Sequence, residues 1–80
     1  SLDLNLLVLL EALFDERNIT RAAARLGIGQ PSASKALDRL RAAFKDELFV
    51  RTPSGMRPTN RALAVEPGVR HALAEIRKVI

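Results

Sequence analysis

Apolar residues return at Leu6, Leu10, Leu13 and Phe14. That spacing puts them on one face of a helix which Asp3 can cap and which runs to about Glu16. Leu4, Val8 and Leu9 lie off that stripe, so the helix is expected to touch more than one neighbour, with Leu4 available to a second subunit. Thr20 reads as the N-cap of a short helix ending at Leu26. The run Ala22 to Ala24 lets another backbone approach closely, Gly27 is the breaker, and Ile28 is expected to enter the core. A third helix is predicted from Gln30 to Phe44, with Pro31 suited to its first turn. Ala33, Leu37, Leu40 and Phe44 form its inner face. Pro31, Lys35, Asp38 and Ala42 lie opposite, with Ser34 and Arg39 at the flanks.

From Leu48 the period changes. Leu48 to Arg51 reads as a short strand, Thr52-Pro53-Ser54-Gly55 as a turn and Met56-Arg57-Pro58 as the returning strand. Thr59 then caps a last helix reaching Ile80. In it Val65, Val69, Leu73, Ile76 and Ile80 repeat like a coiled-coil seam, expected to join two copies of the chain. Pro67 should interrupt and kink that helix, because residue 63 loses its carbonyl partner. The fold class is mainly α: a three-helix core with a short β-hairpin wing over residues 1–58, then a linker or dimerisation helix over 59–80 that stops with its seam still running.

Eighty residues allow one thin hydrophobic core, and self-association is the natural supplement where cysteine is absent and His71 is the single histidine. No metal site or disulfide is expected. The longest purely apolar run, Leu6 to Leu10, is far too short to cross a membrane, and no signal peptide is evident.

Charge changes the picture more than composition does. The net charge is +4, yet residues 1–16 hold four acids and no base, whereas residues 17–61 hold ten bases against three acids, a local +7. The positive field therefore centres on the second and third helices and the hairpin, where it attracts phosphate. Only three aromatic residues are present, all Phe, which leaves little for stacking single-stranded bases.

Two helices joined by a tight Gly turn, the second opening on Gln30, Pro31, Ser32, Ser34 and Lys35, is the arrangement a duplex-reading helix-turn-helix requires. Gln30 can bond adenine through both amide atoms, and Lys35 reaches guanine or phosphate. Ser32 suits a phosphate contact or a cap. Thr20 is either a cap or a DNA contact, and Arg39 faces either a phosphate or Asp38 and solvent. Arg51 and Arg57 in the wing are expected near the same polyanion. Gly27-Ile28-Gly29 opens like a dinucleotide fingerprint, but its third glycine position is Ser32 and no strand precedes it. His71 reads as a surface or interface residue. The adjacent pair Asp46-Glu47 has diverging side chains and no nucleophile, so no enzyme chemistry is expected.

The segments TRAAARLGIGQPSASKALDRLR and LFVRTPSGMRPT resemble the N-terminal DNA-binding domain of LysR-type transcriptional regulators, from Leu2 through the last helix. The resemblance implies a winged helix-turn-helix with Gln30, Pro31, Ser34 and Lys35 in the major groove and the wing near the minor groove. It implies a homodimer through the last helix, or a tetramer of the full-length protein, on a partly palindromic promoter site in a bacterial cytoplasm. It also implies a separate effector domain outside this chain that answers a small molecule, of aromatic type by the Leu-Asp-Leu-Asn-Leu-Leu opening, and no cofactor in this domain. Gly29 departs from the Ser or Thr of many relatives and loses a hydroxyl. Lys35 departs from a commoner Arg and cannot form the same planar fork to guanine. Two other readings remain: a protein-binding module whose basic face meets an acidic partner, and a winged helix of another regulator family.

Overall fold

The computed structural model describes residues 3–80; Ser1 and Leu2, the latter within the resemblance above, lie outside the described residues. Four helices and one hairpin follow in order: α1 Leu4–Glu16, α2 Ile19–Leu26, α3 Gln30–Phe44, β1 Phe49–Thr52, β2 Gly55–Pro58 and α4 Asn60–Val79. The local chemistry of the ends explains the boundaries. The Asp3 carboxylate accepts the Asn5 N–H at 2.8 Å and opens α1. Gly27 closes α2 in the left-handed region at φ 68°, with the Ile28 N–H returning to the Ala23 carbonyl at 3.0 Å. Thr59 opens α4 by accepting the Ala62 N–H at 3.1 Å.

α1 is the hub. It packs against α2, α3 and α4, which is why it is apolar on several sides. Leu9, Leu10 and Leu13 are sealed together with Leu40, Leu48 and Phe49. The Phe14 and Phe49 rings meet at 5.3 Å, tilted by 59°, and join α1 to the first strand. Ala22 and Ala23 are buried, so α2 reaches the core with little side-chain bulk. Leu48 is fully buried at φ 63°, unusual for a branched residue. Its N–H donates to the Asp46 carboxylate at 2.8 Å and its carbonyl accepts from the Thr59 N–H at 2.9 Å, which hold that conformation.

Four expectations are corrected. The N-cap of α2 is Asn18, not Thr20: its side-chain oxygen accepts the Arg21 N–H at 2.8 Å, and Thr20 lies inside the first turn. Ile28 does not enter the core but stands 38 % exposed, because the Gly27 turn carries the chain outward before α3 begins. α4 runs unbroken through Pro67 to Val79. Most consequentially, Val69 and Leu73 are buried in this chain's own core and are not open to a second copy. Val65 and Ile76 are half-buried and Ile80 is 97 % exposed, so only the end of the expected seam stands clear.

The reason lies in pairing across α1 and α4, which run antiparallel. Arg77 grips Glu11 through both carboxylate oxygens at 2.8 and 3.1 Å, and Arg70 bonds Asp15 at 2.7 Å. The acids at the start of the chain therefore serve as a docking rail for α4. Asp15 also accepts from Arg25 of α2 at 2.8 Å, and Arg70 stands over the Phe14 ring at 5.8 Å.

Candidate nucleic-acid interface

α3 buries Ala33, Leu37 and Leu40, and this fixes which side chains face away. Gln30, Pro31, Ser32 and Lys35 are exposed, and Ser34 is half-buried. Gly29 caps the helix without a side-chain bond, Pro31 occupies its first turn, and that turn contains no acid. The helix start is thus a positive dipole end with amide, hydroxyl and ammonium groups around it.

Thr20 donates its hydroxyl to the Gln30 amide oxygen at 3.3 Å, which ties α2 to the tip of α3. The Gln30 NH2 has no partner among the described residues, and one lone pair of its oxygen stays free. The amide can therefore still offer the donor and acceptor that an adenine edge takes up.

The hairpin stands beside this tip. Its register pairs Arg51 with Met56 and Val50 with Arg57 across a two-residue Pro53-Ser54 turn. Met56 is buried while Arg51, opposite it on the same face, extends past the core edge. Arg51 shares one cleft with Thr20, Gln30 and Ser54, and a second with Ser34, Asp38 and Arg41. The wing and the start of α3 therefore frame two neighbouring clefts that meet at Arg51, together forming the groove between them. Arg57 lies on the opposite face of the ribbon, beside Arg17, Thr59 and Asn60. Arg51 and Arg57 thus lie on opposite faces of the ribbon, since successive positions along a strand alternate in direction.

Charge pairing sharpens the division. Arg21, Arg25, Arg41, Arg70, Arg77 and Lys78 each meet a carboxylate. Lys35, Arg39, Arg51 and Arg57 meet none among the described residues, so the uncompensated charge gathers around α3 and the wing. Asp38 turns to Arg41 at 3.5 Å and not to Arg39, which stays exposed. Hydrogen bonds from Arg77 and from Arg70 and Arg25 hold the Glu11 and Asp15 carboxyls below their ordinary range. Those acids are already engaged and do not cancel the field at the groove.

Two residues escaped sequence reasoning, whereas at α2 the sequence marks both Asn18 and Thr20 without saying which one caps the helix. Arg41 holds the wing by donating to the Glu47 and Phe49 carbonyls at 2.8 and 2.9 Å. Arg17 ends α1 in the left-handed region at φ 52°, and its carbonyl accepts the Met56 N–H of the wing at 2.8 Å. No local pattern marks either contact, since both link separate elements. His71 is exposed, and among the described residues no cluster of three His, Cys, Asp or Glu can hold a metal. No described helix is long and apolar enough to cross a membrane.

The same architecture is found in known proteins. The sequence pattern described as "Bacterial regulatory helix-turn-helix protein, lysR family" matches residues 4–63. The HTH-type transcriptional regulator SyrM 1 of Sinorhizobium fredii (strain NBRC 101917 / NGR234) is 50 % identical over 80 residues, all of this chain and 24 % of the relative. The chain thus spans about a quarter of the length of such curated relatives. The crystal structure of the probable transcriptional regulator PA0477 from Pseudomonas aeruginosa superimposes with a TM-score of 0.92 at 43 % identity, covering 96 % of this chain and 26 % of that one. The BenM DNA-binding domain in its complex with catB site 1 DNA superimposes at 0.90, covering 98 % of this chain and 88 % of that one. At 22 % identity this second likeness is one of fold. With its helix-turn-helix, its wing and the match over residues 4–63, the chain belongs to the lysR family of bacterial regulatory helix-turn-helix proteins.

Proposed function

We propose that this chain is the duplex-DNA-reading unit of a transcription regulator, with no enzymatic activity. One observation carries the reading. The exposed run Gln30-Pro31-Ser32 and Lys35 stands on the outer side of a helix whose inner side is sealed by Ala33, Leu37 and Leu40. α3 enters the major groove by its N-terminal turn, with Gln30, Ser34 and Lys35 at base edges. Ser32 and Thr20 take phosphates, Arg39 serves the backbone, and the wing lies along the minor groove. That the BenM DNA-binding domain, of the same fold, has been crystallised with DNA supports the assignment.

The regulator binds as a homodimer, or as a tetramer of the longer protein. Leu4 at 45 %, Leu63 at 46 % and Ile80 at 97 % exposure supply apolar surface that the monomer leaves uncovered. Val65 and Ile76 border it. A small-molecule inducer, aromatic in type, acts through a separate domain, and the protein works in the bacterial cytoplasm. Selection of bound sites from random duplexes tests the DNA reading and its two-fold assembly together. A two-fold symmetric consensus is expected, and enrichment of no sequence overturns the reading.

A specific observation also favours a protein contact. Val8, Leu26, Ile28 and Ala36 line a cleft between α1 and the helix-turn-helix, with Arg39 on its border. The salt dependence of duplex affinity separates the two readings, since only a phosphate-binding face responds steeply.

A further inference from the structure

The two faces of the wing carry different charges to different places. Arg51 joins the groove of α3. Arg57, on the other face, lines two adjoining clefts, and Arg17 lines both of them with it. The larger has a volume of about 640 Å³ and is bordered by Val50, Thr59 and Asn60. No carboxylate lines either cleft. Arg17 and Arg57 meet no acid among the described residues, whereas Arg21, Arg25, Arg41, Arg70 and Arg77 each hold one.

The backbone fixes Arg17 in place. Its carbonyl accepts the Met56 N–H, and Gly55 lies so close to that carbonyl that no Cβ fits. Its Nε donates to the Phe14 carbonyl at 3.0 Å, leaving its terminal nitrogens as the donors without a partner among the described residues. The Thr59 hydroxyl donates to Asp46, but a guanidinium braced at one edge, a second on the ribbon and the Asn60 amide on the same lining form a receptor for a tetrahedral dianion or a phosphodiester.

We propose that Arg17 and Arg57 form a phosphodiester-binding cleft on the outer face of the wing, which grips the DNA backbone beyond the bases that α3 reads. The inference rests on the DNA-binding reading above and extends it by naming Arg17 and a second grip on the duplex. It also explains why Arg57 points away from Arg51. The wing straddles the backbone, with one arginine facing the read bases and the other the flanking strand.

The test uses salt titrations of affinity on two duplexes, one extending past the wing and one trimmed to end beneath α3. Three variants are compared with the wild type. Arg17→Asn removes the charge while suiting the left-handed backbone, Arg17→Lys retains the charge, and Arg57→Gln removes its partner. On the long duplex, Arg17→Asn and Arg57→Gln are each expected to flatten the slope of log affinity against log salt by about 0.9, one phosphate's worth. Arg17→Lys keeps nearly the full slope, and on the trimmed duplex no variant differs from wild type. An unchanged slope for Arg17→Asn on the long duplex overturns the proposal, as does an equal loss on the trimmed one. Absence of salt-dependent duplex binding by the wild type itself defeats the DNA reading and this inference with it. A wild type that binds while Arg17→Asn changes nothing defeats the cleft alone.

Discussion

The backbone carbonyl of Arg17 accepts the Met56 N–H at 2.8 Å, so the residue that caps the C-terminus of α1 holds the returning strand of the wing. Residues nearly forty positions apart are thereby fixed in one geometry. Gly55 makes the approach possible: its φ of 141° excludes most side chains, and the Arg17 carbonyl occupies the space a Cβ would need.

Gly55→Ala should therefore release the wing. Strain of this kind costs about 1–3 kcal/mol, and loss of the Arg17 bond adds to it. The denaturant midpoint is expected to fall, and duplex affinity with it, because Arg51 and Arg57 lose their fixed positions. An unchanged midpoint counts against the wing being held through this contact.

At the reading tip, Gln30→Ala is expected to weaken binding to the selected site by about 1–3 kcal/mol and to relax preference at one base pair. Thr20→Val removes the hydroxyl that steadies the Gln30 amide and should cost less, since the amide can still bond without it. Binding measured on selected and scrambled duplexes decides the matter. Equal losses on both assign Gln30 to the backbone and not to a base.

Burial of Leu73 makes a prediction opposite to that of a dimer seam. Leu73→Ala should destabilise the folded chain by about 2–5 kcal/mol at any protein concentration, as a cavity in the core does. Ile80→Ser should leave the unfolding midpoint nearly unchanged at low concentration and weaken self-association, since Ile80 is almost wholly exposed. Sedimentation equilibrium beside thermal melts distinguishes the two effects.

The rail between α1 and α4 predicts acid sensitivity. Hydrogen bonds from Arg77 lower the Glu11 carboxyl from its ordinary 4.5, and those from Arg70 and Arg25 lower Asp15 from 3.8. The folded chain thus binds these protons less readily than the unfolded chain. The stabilisation is complete above the ordinary values and is lost as pH falls below them, through the lowered folded values. Glu11→Gln should remove about 1 kcal/mol at neutral pH, an exposed partner keeping the pair weak, and should shallow the acid limb of stability. An identical acid limb in the variant argues that the Glu11–Arg77 pair contributes nothing.

Much of the reading groove was visible without coordinates, because the helix period, the Gly27 turn and Pro31 all act within a few residues. The spacing of Ala33, Leu37 and Leu40 was enough to show which face of α3 is inward. Legibility failed where two residues of similar chemistry compete, as with Asn18 and Thr20 for one cap. It failed also where apolar spacing fits two partners equally. Val69 and Leu73 would suit a second helix from another copy as well as α1 of the same chain, and hydrophobic burial has no direction that distinguishes them.

The sequence by itself determined the elements, most of their ends and the concentration of positive charge in the middle of the chain, since these depend on backbone preferences and on neighbours one or two turns away. Tertiary structure alone decided that α4 closes onto α1, that the early acids neutralise the late arginines, and that Arg51 and Arg57 part company. Glu11 and Arg77 stand 66 positions apart and Asp15 and Arg70 stand 55 apart, so only the packed chain brings each charge to its partner and leaves the others facing outward.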